Sequence, residues 1–479
     1  MEHALASTPA PLSGSRRQSH WLTALERQRS GDTEAAIRAL EHHLLQSPDD
    51  AGAWMSLGTA LRRAARFDAA LVCYQRALRL CPRDAGIWSS LGRLWAELGQ
   101  FEQGLRAHRR AVELDPARIA TRIDCAAALR EACRLDEAER LIDSCLRQEP
   151  GRRDLQLERG LLRLQLGRLR EGWADYAALV EPPLPPSLAA IPRWQGERIA
   201  GKRILLTSGP DAGTTLWAAR YVGMLTRRGA ACSLLVEPAM HRVLGALPAR
   251  AASEQQLAAA SEHFDLRCPL ETLAALVDPR VATIPAPFEP KLAAPPAWLR
   301  DLVTADHRVL HVGIAWHGGA GTRESPVAAP PLTLFLALAL LPGVRLYSLQ
   351  HDAAGAALAQ HGGTGLLTDL GSRCEDLADL AGAMSLMDVC IVADGTAAHL
   401  AGCLGKPSLT LLPFRPHWLY GLRGENTTWY PASRLLRQPA PGDWNSVMRD
   451  ATALLRGWSK ARAGSASPPT SPPAAGDTP

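Results

Sequence analysis

The chain has no apolar run long enough to cross a bilayer: its best candidate, Leu332 to Leu341, is half of the roughly 20 residues a spanning helix needs. Residues 1 to 20 lack a continuous apolar segment and carry Arg16, Arg17 and several prolines and serines, so no secretory signal is read there. The ten cysteines form no Cys-x-x-Cys and no Cys/His group at zinc spacing. Cys73, Cys125, Cys145, Cys390 and Cys403 fall on apolar faces, which suits reduced, buried thiols. A dense Lys/Arg run interleaved with aromatics is also missing, and a net charge of +5 over 479 residues is small, which excludes a dedicated nucleic-acid binder. The expectation is a soluble cytoplasmic protein with a disordered tip over 1–16 and a disordered Ala/Ser/Pro/Gly-rich tail over 459–479. What is present is globular in kind, 47% hydrophobic and 21% charged, with length for about three domains.

Internal repetition dominates the N-terminal part. Pro48, Pro82, Pro116 and Pro150 recur at one interval, and Trp54/Trp88, Leu57/Leu91, Gly58/Gly92 and Ala77/Ala111 keep it. The interval is the ~34 residues of a tetratricopeptide helix pair. Small residues suit the close crossing of two helices, large ones fill the space between pairs, and each proline ends a hairpin. The predicted array spans 17–180, strongest over 51–118, with a last partial copy keeping Gly160, Leu164, Gly172 and Tyr176. Such arrays bind peptides or proteins on the concave face lined by the first helix of each pair. Met55, Thr59, Arg62, Arg93, Ile123, Arg130 and Glu131 fall on that face, and the arginines suit an acidic or phosphorylated partner or are solvated surface.

Five prolines between Glu181 and Pro192 exclude a helix and mark a linker over 181–200. Strand and helix patterns then alternate, which argues for parallel sheets covered on both sides. Arg203 to Thr207 reads as a strand, 208–214 as a loop, Thr215 to Arg228 as a helix and Cys232 to Val236 as the next strand. The same order restarts at Val309, giving two Rossmann-like halves, 201–300 and 301–458, with a cleft between them. In the second half, Asp388 to Pro413 reads as a buried strand, a tight Asp394-Gly395-Thr396 loop, a helix and a strand. A loop at the carboxyl end of a strand and the amino end of a helix favours an anion, here the phosphates of a nucleotide.

The order of segments resembles a known family. The repeats are followed by Pro192-Arg193-Trp194-Gln195-Gly196, a Gly-rich loop before Ala219-Arg220-Tyr221, Gly313-Ile314-Ala315-Trp316, Tyr347-Ser348-Leu349-Gln350, the loop at Asp394, and Trp429-Tyr430-Pro431. This resembles bacterial tetratricopeptide proteins with a heptosyltransferase-like, glycosyltransferase family 9-like domain of the GT-B fold, and more distantly the O-linked N-acetylglucosamine transferases. The fold class implied is an α-solenoid followed by a GT-B pair of α/β halves. The resemblance implies metal-independent transfer of a sugar from a nucleotide-sugar donor on the second half to a protein or glycan acceptor on the first, with no further cofactor. The lack of an Asp-x-Asp pair agrees. Backbone N–H groups of Gly395, Thr396 and Ala397, the Thr396 hydroxyl and His399 would then hold the diphosphate, with Asp394 orienting the loop. Asp394 or Thr396 as a plain helix cap, and His399 as a packed polar residue, are the structural alternatives.

Three site loops depart from the family pattern. Its first loop carries an Asp as the usual general base, where this chain has Thr214, which cannot accept a proton unassisted at neutral pH. Asp211 or His317 could replace that base. The basic run after Trp316 is reduced to Arg323, and the usual Asp-Thr is Asp394-Gly395 with the threonine displaced to Thr396. Two readings follow: an active transferase with an altered base, or a degenerate transferase domain in a tetratricopeptide scaffold.

Overall fold

The computed structural model describes residues 32–179, 184–209, 211–260, 263–277, 284–304, 308–318 and 329–464. The expected tip over 1–16, Arg323, and the tail beyond Gly464 lie outside the described residues. The chain forms two compact units, Met1–Leu155 and Gln156–Pro479.

The first unit is an array of helical hairpins built from α1 (Thr33–Gln46), α2 (Ala51–Arg63), α3 (Phe67–Leu80), α4 (Ala85–Glu97), α5 (Phe101–Leu114), α6 (Ile119–Glu131) and α7 (Leu135–Gln148). The repeat is visible in its hydrogen bonds. Asp50 and Asp84 cap α2 and α4 by accepting from the N–H groups of Ala53 and Ile87. The indoles of Trp54 and Trp88 donate to the carbonyls of Pro48 and Pro82, which fixes the entry to each hairpin. Ala65, Gly99 and Cys133, 34 residues apart, turn each hairpin at a positive φ of 56°, 75° and 54°. Where helices cross, a Cβ at Gly58 would lie 2.8 Å from the Tyr74 ring, and one at Gly92 2.6 Å from the His108 ring. These glycines are required for close approach.

One more hairpin, α8 (Arg153–Gln165), which begins three residues before the second unit, and α9 (Leu169–Leu179), precedes the sheets. Four parallel strands, β1 (Arg203–Thr207), β2 (Ala231–Leu235), β3 (Arg250–Ala252) and β4 (Leu266–Pro269), stand in the order β3-β2-β1-β4. Between β1 and β2 lie α10 (Ala212–Ala218), a 3₁₀ turn and α11 (Val222–Arg227). Six more parallel strands follow: β5 (Leu310–Ala315), β6 (Val344–Ser348), β7 (Thr368–Asp369), β8 (Val389–Ala393), β9 (Ser408–Leu412) and β10 (Ser433–Arg437). Their order, β10-β9-β8-β5-β6-β7, is the doubly wound order in which the chain reverses direction between β5 and β8. Strands β5, β8 and β9 are buried at every residue, β8 as an unbroken apolar run and the other two with His311, Ser408 and Thr410 among their apolar residues. Helix α12 (Leu377–Ser385) leads into β8, α13 (Thr396–Cys403) leaves it, and α14 (Trp444–Gly464) is the last element among the described residues. The last six residues of α14 fall where composition alone begins the tail. Ser459 donates to the Pro342 carbonyl and Arg462 pairs with Asp388 at 2.7 Å, which holds that end helical.

Aromatic packing joins the α8–α9 hairpin to both sheets of this unit. Trp173 stacks on Trp217 at 6.2 Å, Trp418 stands edge-on to both, and Trp429 meets Trp217 at 5.3 Å. Arg220 lies over the rings of Trp429 and Tyr430 and donates to the carbonyls of Trp217, Pro285 and Trp429. The Ala-Arg-Tyr and Trp-Tyr-Pro signatures therefore meet in space as packing devices.

Candidate functional site

The carboxyl ends of strands from both sheets open on one cleft of about 230 Å³. The loops after β1 and β2 line it with Ser208, Asp211 and Glu237 and α10 adds Thr215; the loops after β5 and β6 bring His317, Gly318, Gln350, His351 and Asp352, and the first residues of α13 bring Thr396 and Ala397. Ligands of doubly wound sheets bind at such strand ends, where the strand order reverses.

Gln350 organises the second-sheet side. Its buried side-chain carbonyl accepts from the backbone N–H groups of Trp316 and His317, at 2.9 and 3.0 Å. Its amide donates to the His317 carbonyl at 3.1 Å and to Asp352 Oδ1 at 2.8 Å. One side chain thus uses both ends to tie the loop after β5 to the loop after β6. Asp352 caps the following turn by accepting from the Ala354 N–H, and its Oδ2 lies 3.0 Å from His317 Nδ1. Sequence reasoning missed Asp352. The signal was a Gln-His-Asp run directly after an apolar strand.

On the first-sheet side, Asp211 caps α10. It accepts from the N–H groups of Gly213 and Thr214, at 3.0 and 2.9 Å, and from the Thr214 hydroxyl. Asp211 lines the cleft with three donors already on its carboxylate, and Thr214 spends its hydroxyl on that carboxylate. Beside the same loop stands Glu271, at the end of β4, also unnoticed in the sequence. Burial raises its carboxyl above the ordinary range, opposed by the Tyr176 hydroxyl donating at 3.1 Å.

The Asp394 loop differs from the sequence expectation in detail. Gly395 has φ 155°, and a Cβ there would fall 2.0 Å from the Gly318 carbonyl oxygen. That approach lets the Thr396 N–H donate to Gly318 at 3.1 Å, so this donor serves the loop contact instead of an anion. Thr396 and Ala397 still face the cleft. The half-buried Asp394 carboxyl accepts from the His417 N–H at 3.4 Å and is pushed up to about 6 by its enclosure, with the Asp211 charge adding.

His399 does not reach the cleft mouth. Every residue of α13 from Ala397 to Cys403 is buried, and the His399 ring fills the notch that Gly213 leaves on α10. Its Nδ1 bonds the Tyr430 hydroxyl at 2.8 Å, and burial lowers the imidazole to about 4. The helix packs against α10, which decides the direction of this side chain.

On the repeats, Arg62, on α2, pairs with Glu97 of α4. Arg93 of α4 approaches Asp124 of α6 at 4.0 Å, and Arg130 approaches Glu131 at 3.7 Å. The three arginines thus face carboxylates of the first helices of their pairs, and Met55, on α2, is half-buried. This weakens the case for a purely acidic partner.

A tetratricopeptide-repeat family model matches residues 51–94. Protein FlbA of Caulobacter vibrioides is 26% identical over 339 residues, covering 63% of this chain and 54% of FlbA, so the chain spans about half the length of that relative. Among solved structures, a thermophilic tetratricopeptide protein of Thermus thermophilus aligns at 21% identity and TM-score 0.31, covering 34% of this chain and 89% of its own. PilF of Pseudomonas aeruginosa aligns at 19% and 0.32, covering 35% and 78%. The N-terminal region is a tetratricopeptide-type helical solenoid, a class suited to a peptide or protein partner, followed by a region of parallel sheets and helices. No helix among the described residues is long and apolar enough to cross a membrane.

Proposed function

We propose that the C-terminal region is a glycosyltransferase-like unit of the GT-B type that takes a nucleotide-sugar donor, and that the repeats recruit its protein or glycan acceptor or a partner. The observation that carries this reading is the pair of parallel sheets, ordered β3-β2-β1-β4 and β10-β9-β8-β5-β6-β7, whose strand ends open on one cleft. The donor would lie against the loops after β5 and β8, with Thr396 and Ala397 at its phosphates, and the acceptor against the loop after β1. Arg323, which follows Gly318 in the chain, is the cation this reading assigns to the diphosphate.

A second reading, a degenerate transferase unit in a scaffold protein, draws on the charge of the cleft. Its described lining holds Asp211, Glu237 and Asp352 and neither Lys nor Arg. A thermal-shift panel of UDP, GDP, ADP and CMP sugars separates the two. Donor at a hundred times its dissociation constant should add about 2.7 kcal/mol to the stability of the unit. One nucleotide class should shift the melting point, and no shift with any of them overturns the transferase reading.

A further inference from the structure

We infer that His351 is the general base of this cleft: the Gly371 carbonyl keeps a proton on its Nδ1, and its Nε2 takes the proton of the acceptor hydroxyl. The inference rests on the transferase reading for its substrate, and on geometry for the tautomer.

The titratable side chains of the described lining are Asp211, Glu237, His317, His351 and Asp352. Asp211 is committed as the cap of α10, with three donors on its carboxylate. Asp352 accepts from the Gln350 amide and the Ala354 N–H on Oδ1, and its Oδ2 faces His317 Nδ1 at 3.0 Å, so both of those groups are engaged. Glu237 is exposed, and no hydrogen bond among the described residues fixes its carboxylate. A base must be held in place and still have an atom to spare.

His351 meets both conditions. It stands just past β6, half-buried, with Nδ1 at 3.2 Å from the Gly371 carbonyl oxygen. A carbonyl only accepts, so Nδ1 carries the proton and the neutral ring keeps its basic lone pair on Nε2. Nε2 has no partner among the described residues.

The orienting carbonyl is fixed by backbone alone. Strand β7 pairs with β6 through Tyr347–Thr368 and Ser348–Asp369, and the Leu370 N–H donates to the Ser348 carbonyl at 3.0 Å. This pairing brings the turn Gly371–Arg373 against Gln350, where a Cβ on Gly371 would fall 2.1 Å from the Gln350 carbonyl oxygen. A side chain would not permit that approach. The Gly371 carbonyl also accepts from the Cys374 N–H at 3.3 Å, so its two lone pairs serve the turn and the imidazole. Because β6 neighbours β5, the ring stands beside the loop against which the donor would lie.

In the transfer step His351 Nε2 takes the proton of the acceptor hydroxyl as the acceptor oxygen forms its bond to the anomeric carbon. The anomeric carbon–oxygen bond to the nucleoside diphosphate breaks, and its electron pair leaves with the diphosphate. The imidazolium then returns its Nε2 proton to water.

The first test reads the imidazole and needs no sugar. Two-bond ¹⁵N–¹H spectra of the full chain labelled in its 14 histidines, with the His351 signal assigned by its loss in His351→Ala, report which nitrogen is protonated. Recorded at about pH 8 to read the neutral ring, the wild type should show the Nδ1–H form. An Nε2–H form overturns the inference whatever the donor does. The second test uses whichever sugar nucleotide shifts the melting point. His351→Asn, whose amide can still donate to the Gly371 carbonyl, should cut hydrolysis at least about 100-fold with donor affinity within about twofold. Unchanged hydrolysis overturns the assignment, and so does a loss of donor affinity with the turnover of bound donor kept, which would make the ring a diphosphate contact. If no sugar nucleotide binds, the transfer step falls with the transferase reading, whereas a failed spectrum beside a bound donor removes the base alone.

Discussion

Gly213→Ala should destabilise the protein, and most of that cost should disappear when His399 is truncated as well. The new Cβ would fall 2.6 Å from His399 Cδ2 and 3.3 Å from Nε2, against an ordinary carbon–carbon contact of about 3.5–4.0 Å. The ring cannot easily retreat, because Tyr430 holds its Nδ1 at 2.8 Å and packs edge-on to it. Overpacking of this kind costs about 1–3 kcal/mol, and the higher helix propensity of alanine returns up to about 1 kcal/mol, for a net loss near 1–2 kcal/mol. His399→Ala alone should cost about 2–4 kcal/mol through its cavity and the Tyr430 hydroxyl left behind. In the double variant the methyl group enters the space the imidazole vacated, so the two losses should fall short of their sum by about 1–3 kcal/mol. Urea unfolding of the four proteins, followed by tryptophan fluorescence and far-ultraviolet circular dichroism, gives the coupling energy. Additivity within about 0.5 kcal/mol would show that α10 and α13 do not meet through these residues.

Two further outcomes concern the repeats. Ala65 and Cys133 turn their hairpins at a positive φ, where a side chain costs about 1–2 kcal/mol and glycine's extra chain entropy returns part of it. Ala65→Gly and Cys133→Gly should therefore each stabilise by about 0.5–1 kcal/mol, and Gly99→Ala should destabilise by a similar amount; thermal unfolding with the opposite signs would refute the turn geometry. Burial lowers His108 to about 4, below an ordinary imidazole at 6.5, so the unfolded chain binds more protons between those values and this stability is lost as pH falls through the window. His108→Tyr, copying Tyr74 of the preceding repeat, should gain on the order of 1–2 kcal/mol more at pH 5 than at pH 7.5. An equal gain at both values would mean that His108 is not held neutral.

The solenoid was legible because the hairpins over 51–118 repeat caps, turns and crossings, so the signal of Pro48 and Gly58 returns at Pro82 and Gly92. The parallel sheets were legible from unbroken runs such as Val389 to Ala393. The site was not legible to the same depth. Gln350 and Asp352 act on His317 only because β5 and β6 are neighbours, an adjacency that strand order creates and local pattern does not encode. The direction of His399 was hidden for a related reason: its place one turn into α13 fixes its height on the helix, whereas its packing against Gly213, far away in sequence, goes with the way the ring lies.

The tryptophan nest around Trp173 bears on where the chain can be cut. By pattern α8 and α9 are one more repeat, but Trp173 belongs to the same packed cluster as Trp217 and Trp418, and the Gln165 amide donates to the Pro416 carbonyl. A cut near Leu155 keeps Trp173 on one fragment with Trp217 and Trp418, so that nest stays closed. One between 181 and 183 would strip an indole from the stack and uncover two others, so a fragment beginning there should be sticky and short-lived even though every strand of both sheets is present.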